Sequence, residues 1–291
     1  MTILEAILQG IVQGLTEFLP VSSSGHLSLF QHFFGLDGEN AVTMTILLHL
    51  GTLVAVFVAY WGNIKALILE AFRLLRDLFT GKFKWKEMNP ERRMIMMIIV
   101  SILPLFGFYI FKDFFDGLAS DDDIIVEGFA FLYTSALLFC STRIKKDDSY
   151  TAGETTVKNA LTIGIFQGIA LTPGISRSGS TICSALFTGM KREDAVEYSF
   201  ILGIPVILAG AFVKLFDLTD SAAEELKANL VPLAISFVIS AIAGYFAIRL
   251  IKAMVVNDKF RIFAWYTLVL GIVVISIGLY ENISGTRIMI G

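Results

Sequence analysis

Charge is what this chain has least of. Of its 291 residues only 17% are Asp, Glu, Lys or Arg, against 55% hydrophobic, and mean hydropathy is +0.73. Soluble domains carry about 25% charged and about 45–50% apolar residues, so a water-soluble fold is excluded and a membrane is expected. Cysteine is nearly absent. Cys140 and Cys183 lie far apart in apolar stretches without ligand spacing, which excludes a disulfide framework or metal clip and leaves two small packing residues. Histidine is equally scarce, and His26, His32 and His49 make no zinc motif. His32 and His49 read as packing or hydrogen-bonding residues, not ligands. A basic start is missing too: the first apolar stretch carries Glu5, Gln9, Gln13 and Glu17, so no cleavable leader is expected. No nucleic-acid partner is expected.

What the chain does have is long apolar segments. A spanning helix needs ~20 mostly apolar residues, and six segments qualify: 41–61, 94–111, 125–142, 195–216, 230–250 and 262–280. The links between them alternate in charge. Lys65, Arg73, Arg76, Lys82, Lys84, Lys86, Arg92 and Arg93 place the first long link in the cytoplasm by the positive-inside rule. Asp113, Asp116 and Asp121 to Asp123 put the next link outside; Arg143, Lys145, Lys146, Lys191 and Arg192 return the chain inside. Asp217, Asp220, Glu224 and Glu225 are outside again, and Arg249, Lys252, Lys259 and Arg261 are inside. Both termini are then outside. Ile64, Leu67, Ile68, Ala71, Leu75, Leu78 and Phe79 fall on a helical period and predict a helix lying on the inner leaflet.

A duplication runs through this pattern. At a constant offset of 154 residues, thirteen positions between Ala6 and Val42 are identical to those between Ala160 and Val196. The match centres on Pro20-Val21-Ser22-Ser23-Ser24-Gly25-His26 and Pro173-Gly174-Ile175-Ser176-Arg177-Ser178-Gly179-Ser180. Proline removes a helix donor and disfavours helix at the residue before it, and Ser22 and Ser176 are natural N-caps for a second short helix. A half-helix of ~12 residues rises only ~18 Å, too short to cross. Residues 2–34 and 157–189 are therefore predicted as re-entrant helical hairpins. The expected fold is an all-α polytopic membrane protein built as an inverted-topology repeat. The first repeat is 1–150 and the second 151–291, each one re-entrant hairpin plus three transmembrane helices. Three spans per copy is odd, so the second copy inverts and the broken tips meet near the midplane. The links agree: Asp37-Gly38-Glu39-Asn40 is acidic, while its counterpart Lys191-Arg192-Glu193-Asp194 carries a basic pair.

The copies differ where chemistry is expected: Ser23 faces Arg177, Glu17 faces Leu171, and His26 faces Ser180. Helix N-termini bind anions. Ser22, Ser24, Gly25, Ser176, Arg177, Ser178 and Gly179 are thus candidates for holding phosphate, with Arg177 the permanent forked charge. Ser24 and Ser178 serve equally well as small packing residues. Intramembrane charges are functional by default, which singles out Glu17 and Arg177. Glu17 sits at the C-terminal end of its half-helix and needs a cation nearby; a divalent metal or Arg177 would serve. Gln13, one turn earlier, is placed to join a metal shell or orient water. His26, at the positive end of the second half-helix, is a candidate proton acceptor or nucleophile.

The run Gln13-Gly14-Leu15-Thr16-Glu17-Phe18-Leu19-Pro20-Val21-Ser22-Ser23-Ser24-Gly25-His26, with Pro173-Gly174-Ile175-Ser176-Arg177-Ser178-Gly179, closely resembles the bacterial undecaprenyl pyrophosphate phosphatase (bacitracin-resistance protein) family. The resemblance covers essentially the whole chain. It implies hydrolysis of a C55 polyprenyl diphosphate lipid to undecaprenyl phosphate and phosphate, which recycles the carrier of cell-wall synthesis. It also implies a divalent cation (Mg2+ or Ca2+), a site open to the outer face of the bacterial plasma membrane, and a homodimer. Family roles carry over to Glu17, Ser23, His26 and Arg177. The family's first motif is often written with two acidic positions four apart; here the first is Gln13, so the weight moves to Glu17. Ser23 is the preferred nucleophile with His26 as proton acceptor; a phosphohistidine at His26 and direct attack by water are the other routes. Because inverted repeats with broken helices are also transporter architecture, a flippase or carrier of a lipid phosphate or other anion is the alternative class.

Overall fold

The computed structural model describes residues 2–35, 40–111, 114, 117, 123–144, 150–216, 229–257 and 259–289. Eleven α-helices are present among them, with no strand. The acidic and basic signals at Asp37, Glu39, Asp113, Asp116, Asp121, Asp122, Lys145, Lys146, Asp217, Asp220, Glu224 and Glu225 lie outside the described residues.

The two broken hairpins form where the prolines require them. Helix α1 (Ile3–Phe18) opens with a capping box between Thr2 and Glu5 and stops before Pro20. Helix α2 (Ser23–Phe34) restarts at once, its N-cap Ser22 accepting the Gly25 amide. In the second copy α7 (Val157–Ile169) breaks at the Pro173-Gly174 turn, and α8 (Arg177–Phe187) restarts with N-cap Ser176 holding the Gly179 amide. Gly174 has φ +82°, and a Cβ there would lie 3.0 Å from the Glu127 backbone. The turn requires glycine on both counts.

The remaining helices match the apolar segments. They are α3 (Asn40–Ala59), α4 (Trp61–Phe79), α5 (Pro90–Tyr109), α6 (Ile125–Ser141), α9 (Arg192–Phe216), α10 (Leu230–Val256) and α11 (Arg261–Ser284). Helices α5, α9, α10 and α11 are long and apolar enough to cross a membrane, while α6 is a shorter apolar helix. Helix α4 turns away from α3 by 91°. It buries Ile64, Leu67 and Leu74 against the body and leaves Phe72, Leu75, Leu78 and Phe79 exposed, the pattern of a helix resting on a bilayer surface. Its polar edge is tied down by Arg92 of α5, which reaches Glu70 at 2.7 Å and Asp77 at 2.9 Å. Burial alone would raise the Glu70 carboxyl, but hydrogen bonds led by Arg92 outweigh it and hold the group below the usual carboxylate range.

Packing crosses between the copies. Helix α1 lies chiefly against α10, and its counterpart α7 against α5, while α6 pairs with α11. The main core runs through Phe18, Leu138, Ile163, Ile182, Tyr198, Phe200 and Leu202. Cys183 is buried in it, as expected; Cys140 is not a packing residue but lies on the exposed side of α6.

Candidate active site

The two tips touch, and each is fastened to the other by equivalent groups. Ser24 Oγ accepts the Gly174 amide at 3.3 Å from the opposite tip. Its counterpart Ser178 donates to the Leu19 carbonyl at 3.2 Å. The glycines repeat the exchange: a Cβ on Gly25 would meet Gly174 Cα at 3.2 Å, and one on Gly179 would meet Pro20 Cβ at 3.3 Å. Small residues let the two backbones approach this closely. Thr134 of α6 accepts the Ser176 amide and anchors the second tip.

Beside this junction lies a cavity of about 220 Å³, lined at its polar end by Thr16, Glu17, Ser23, Ser24, His49, Ser176 and Arg177. Ile46, Val206, Ile207 and Ala211 make its apolar wall. Glu17 is the centre. Its Oε1 accepts Arg177 Nη2 at 2.6 Å; its Oε2 accepts Ser23 Oγ at 2.7 Å and Gln13 Nε2 at 2.9 Å. His49 Nε2 stands 3.6 Å from the same oxygen. A buried carboxylate needs such partners, and the arginine supplies the counter-charge that a helix C-terminus withholds. Arg177 Nη1 is buried without a partner. It lies against Gly203, where a Cβ would stand 2.2 Å from that nitrogen and the guanidinium would have to shift.

The sequence-predicted residues divide. Glu17, Ser23 and Arg177 come together, and Ser24 and Ser176 line the cavity with them. Ser22, Gly25, Ser178 and Gly179 are buried in the tip junction, their polar groups committed to capping and cross-tip bonds. His26 is not brought to Ser23. Its Nδ1 lies 2.7 Å from the Ser22 carbonyl and its Nε2 2.7 Å from Tyr266 Oη, with the ring stacked on Tyr266. His26 thus pins α2 to α11, away from the cavity lining. The proton of Ser23 points to Glu17 instead.

His49, read from the sequence as a packing or hydrogen-bonding residue, does hydrogen-bond, its Nδ1 lying 2.7 Å from the Thr45 carbonyl, and it also lines the cavity. The signal was available: at the same 154-residue offset His49 faces Gly203, one more polar difference between the copies. His32 does behave as a hydrogen-bonding residue, paired with Glu281 at 3.0 Å.

The side chains do not make a resident metal site. Glu17 is already ion-paired with Arg177, Gln13 turns its amide nitrogen to that carboxylate, and the Gln13 oxygen is buried with no partner, outside the cavity lining. Among the described residues no group of three His, Cys, Asp or Glu stands ready for an ion.

Known proteins resemble the chain over nearly its whole length. The family profile described as bacitracin resistance protein BacA matches residues 6–273. A protein of Alkaliphilus metalliredigens named undecaprenyl-diphosphatase is 38% identical over 282 residues, covering 94% of this chain and 98% of its own. Proteins of the same name from Halothermothrix orenii, 36% identical, and Methanosphaera stadtmanae, 38% identical, also cover 94% of this chain and 98% and 97% of their own.

Proposed function

Since the chain belongs to the bacitracin resistance protein BacA family, we propose that it is an undecaprenyl-diphosphatase of the membrane. It hydrolyses undecaprenyl diphosphate to undecaprenyl phosphate and inorganic phosphate, recycling the cell-wall lipid carrier and so conferring bacitracin resistance. The observation that carries the reading is Glu17, which holds a serine hydroxyl on one oxygen and an arginine on the other. Transport of a lipid phosphate needs no hydroxyl aimed at a carboxylate, so the enzyme reading is preferred to the carrier.

The cavity admits a diphosphate and leaves the C55 chain outside, beyond Ile46, Val206, Ile207 and Ala211. Arg177 lines the cavity while its Nη2 stays on Glu17, and it supplies the charge neutralisation that phosphoryl transfer requires. Ser23 Oγ attacks the terminal phosphorus, its proton passing to Glu17 Oε2. The anhydride bond breaks with its electron pair leaving on undecaprenyl phosphate, and water then hydrolyses the phosphoserine. The divalent cation that the resemblance implies, Mg2+ or Ca2+, would be held by the diphosphate and not by these side chains, and would supply further charge neutralisation there.

The inverted-topology repeat, with copies 1–150 and 151–291, is supported by the cross-packing of α1 on α10 and α7 on α5, and by the reciprocal ties of Ser24 and Ser178. The charge alternation of the links supports re-entrant hairpins, both termini outside and a site open to the outer face of the bacterial plasma membrane. Resemblance to the family supports a homodimer.

The test is release of phosphate from C55 diphosphate by purified protein in detergent, where transport is invisible. Native protein is expected to turn over, and Ser23→Ala to lose about 10³-fold or more in kcat. Near-native turnover by Ser23→Ala would exclude serine attack. Failure of the native protein to release phosphate would return the chain to the carrier class.

A further inference from the structure

Glu17 cannot keep the proton it receives. Once protonated it would no longer balance Arg177, and an unpaired buried charge is strongly unfavourable. The nearest acceptor is His49. Its Nδ1 lies 2.7 Å from the Thr45 carbonyl, which only accepts, so Nδ1 carries the ring proton and Nε2 presents a lone pair. Nε2 stands 3.6 Å from Glu17 Oε2, the oxygen that holds Ser23. Catalytic hydrogen bonds are often this long before substrate arrives. The other charged group at this spot is Arg177 from α8, on the far oxygen of Glu17; α9 presents only Val206, Ile207, Gly210 and Ala211.

The duplication points the same way. In the second copy Arg177 projects over Gly203 with no room for a Cβ between them. The equivalent positions in the first copy are Ser23 and His49. One copy pairs a long cation with an empty position; the other pairs a short hydroxyl with an imidazole.

We infer that His49 is a further catalytic residue, the terminal proton acceptor of a Ser23–Glu17–His49 relay. This rests on the phosphatase reading. As the Ser23 Oγ–P bond forms and the anhydride P–O bond breaks, the proton moves from Oγ to Glu17 Oε2 and on to His49 Nε2. The electron pair of the broken bond leaves on the lipid phosphate. Glu17 is thereby restored as the partner of Arg177 before the phosphoserine is hydrolysed.

The experiment compares native protein, Ser23→Ala, His49→Gln and His49→Gly across pH with C55 diphosphate in detergent. His49→Gln is expected to lose about 10²-fold in kcat, a usual share for one acid–base group, with KM within about twofold. Any acid-side fall of native kcat in the pH profile is expected to vanish in His49→Gln. Added imidazole is expected to restore part of the activity of His49→Gly. Thermal midpoints report folding, and rescue by imidazole holds even where His49→Gly is less stable. His49→Gln turnover within twofold of native, with the same acid-side fall, overturns the relay while leaving the phosphatase reading intact. An inactive native protein overturns the function itself.

Discussion

The tip around Ser22–Ser24 and the tip around Ser176–Ser178 share one frame and carry different cargo. In both, the first serine caps the helix after it and the serine two residues later crosses to the opposite tip. The strain is not shared. Ser22 has φ +73°, the only non-glycine in the left-handed region among the described residues, whereas Ser176 has φ −71°. Such a conformation costs about 1–3 kcal/mol and gathers at functional sites. It falls on the residue that precedes Ser23, in the copy that also holds Glu17 and His49. The copy with ordinary geometry supplies the charge, over a glycine. The two segments thus share the contacts that join the tips and differ at the positions that face the cavity.

The largest effect is expected where both tips converge. Glu17→Gln leaves Arg177 without its counter-charge and Ser23 without its acceptor. Turnover should be lost and stability should fall by about 3 kcal/mol, read as phosphate release and thermal midpoint in detergent; activity within tenfold of native would mean that the tips do not act through one carboxylate. Next comes the asymmetry at Gly203. Gly203→Ala places a methyl 2.2 Å from Arg177 Nη1 and is expected to cut kcat/KM about 10²-fold, while Gly107→Ala, with open space at its Cβ position and outside the cavity lining, should leave it within twofold. Equal behaviour of the two variants would refute the slot. The shared frame is tested more gently: Ser24→Ala and Ser178→Ala should each cost about 1 kcal/mol, and a double-mutant cycle should show coupling because both ties close one junction. Strictly additive losses would argue for independent tips. Smallest is the strain itself. Ser22→Asn keeps the cap and tolerates positive φ better, so a gain of a few tenths of a kcal/mol is expected there and none for Ser176→Asn, measured by thermal midpoint.

Much of this was legible from residue order because it depends on local chemistry. Pro20 and Pro173-Gly174 break helices wherever they occur, and Ser22 and Ser176 cap the short helices that restart beyond them. The apolar segments became helices near their predicted bounds, and the periodic stretch after Tyr60 became a helix with Ile64, Leu67 and Leu74 buried. Side-chain direction was not legible. His26 sits one turn from Ser23, and sequence proximity suggested a base. Yet its ring is drawn to the Ser22 carbonyl and to Tyr266, 240 positions away. His49, distant from both motifs, arrives at the cavity because α3 packs against α1 and α9.

The sequence by itself determined an all-helical membrane protein, two broken hairpins with the same caps, and a set of polar residues too costly to bury without use. Periodicity, proline sterics and capping act within a few residues, so no distant information was needed. Only the tertiary structure decided which of those polar groups meet. Helices α1, α2, α3 and α8 set the rotation of each face, and with it the convergence of Ser23, Arg177 and His49 on Glu17 and the departure of His26 from it. A hydrogen bond is made or lost within about half an ångström, a precision that comes from packing between elements and that no local pattern encodes.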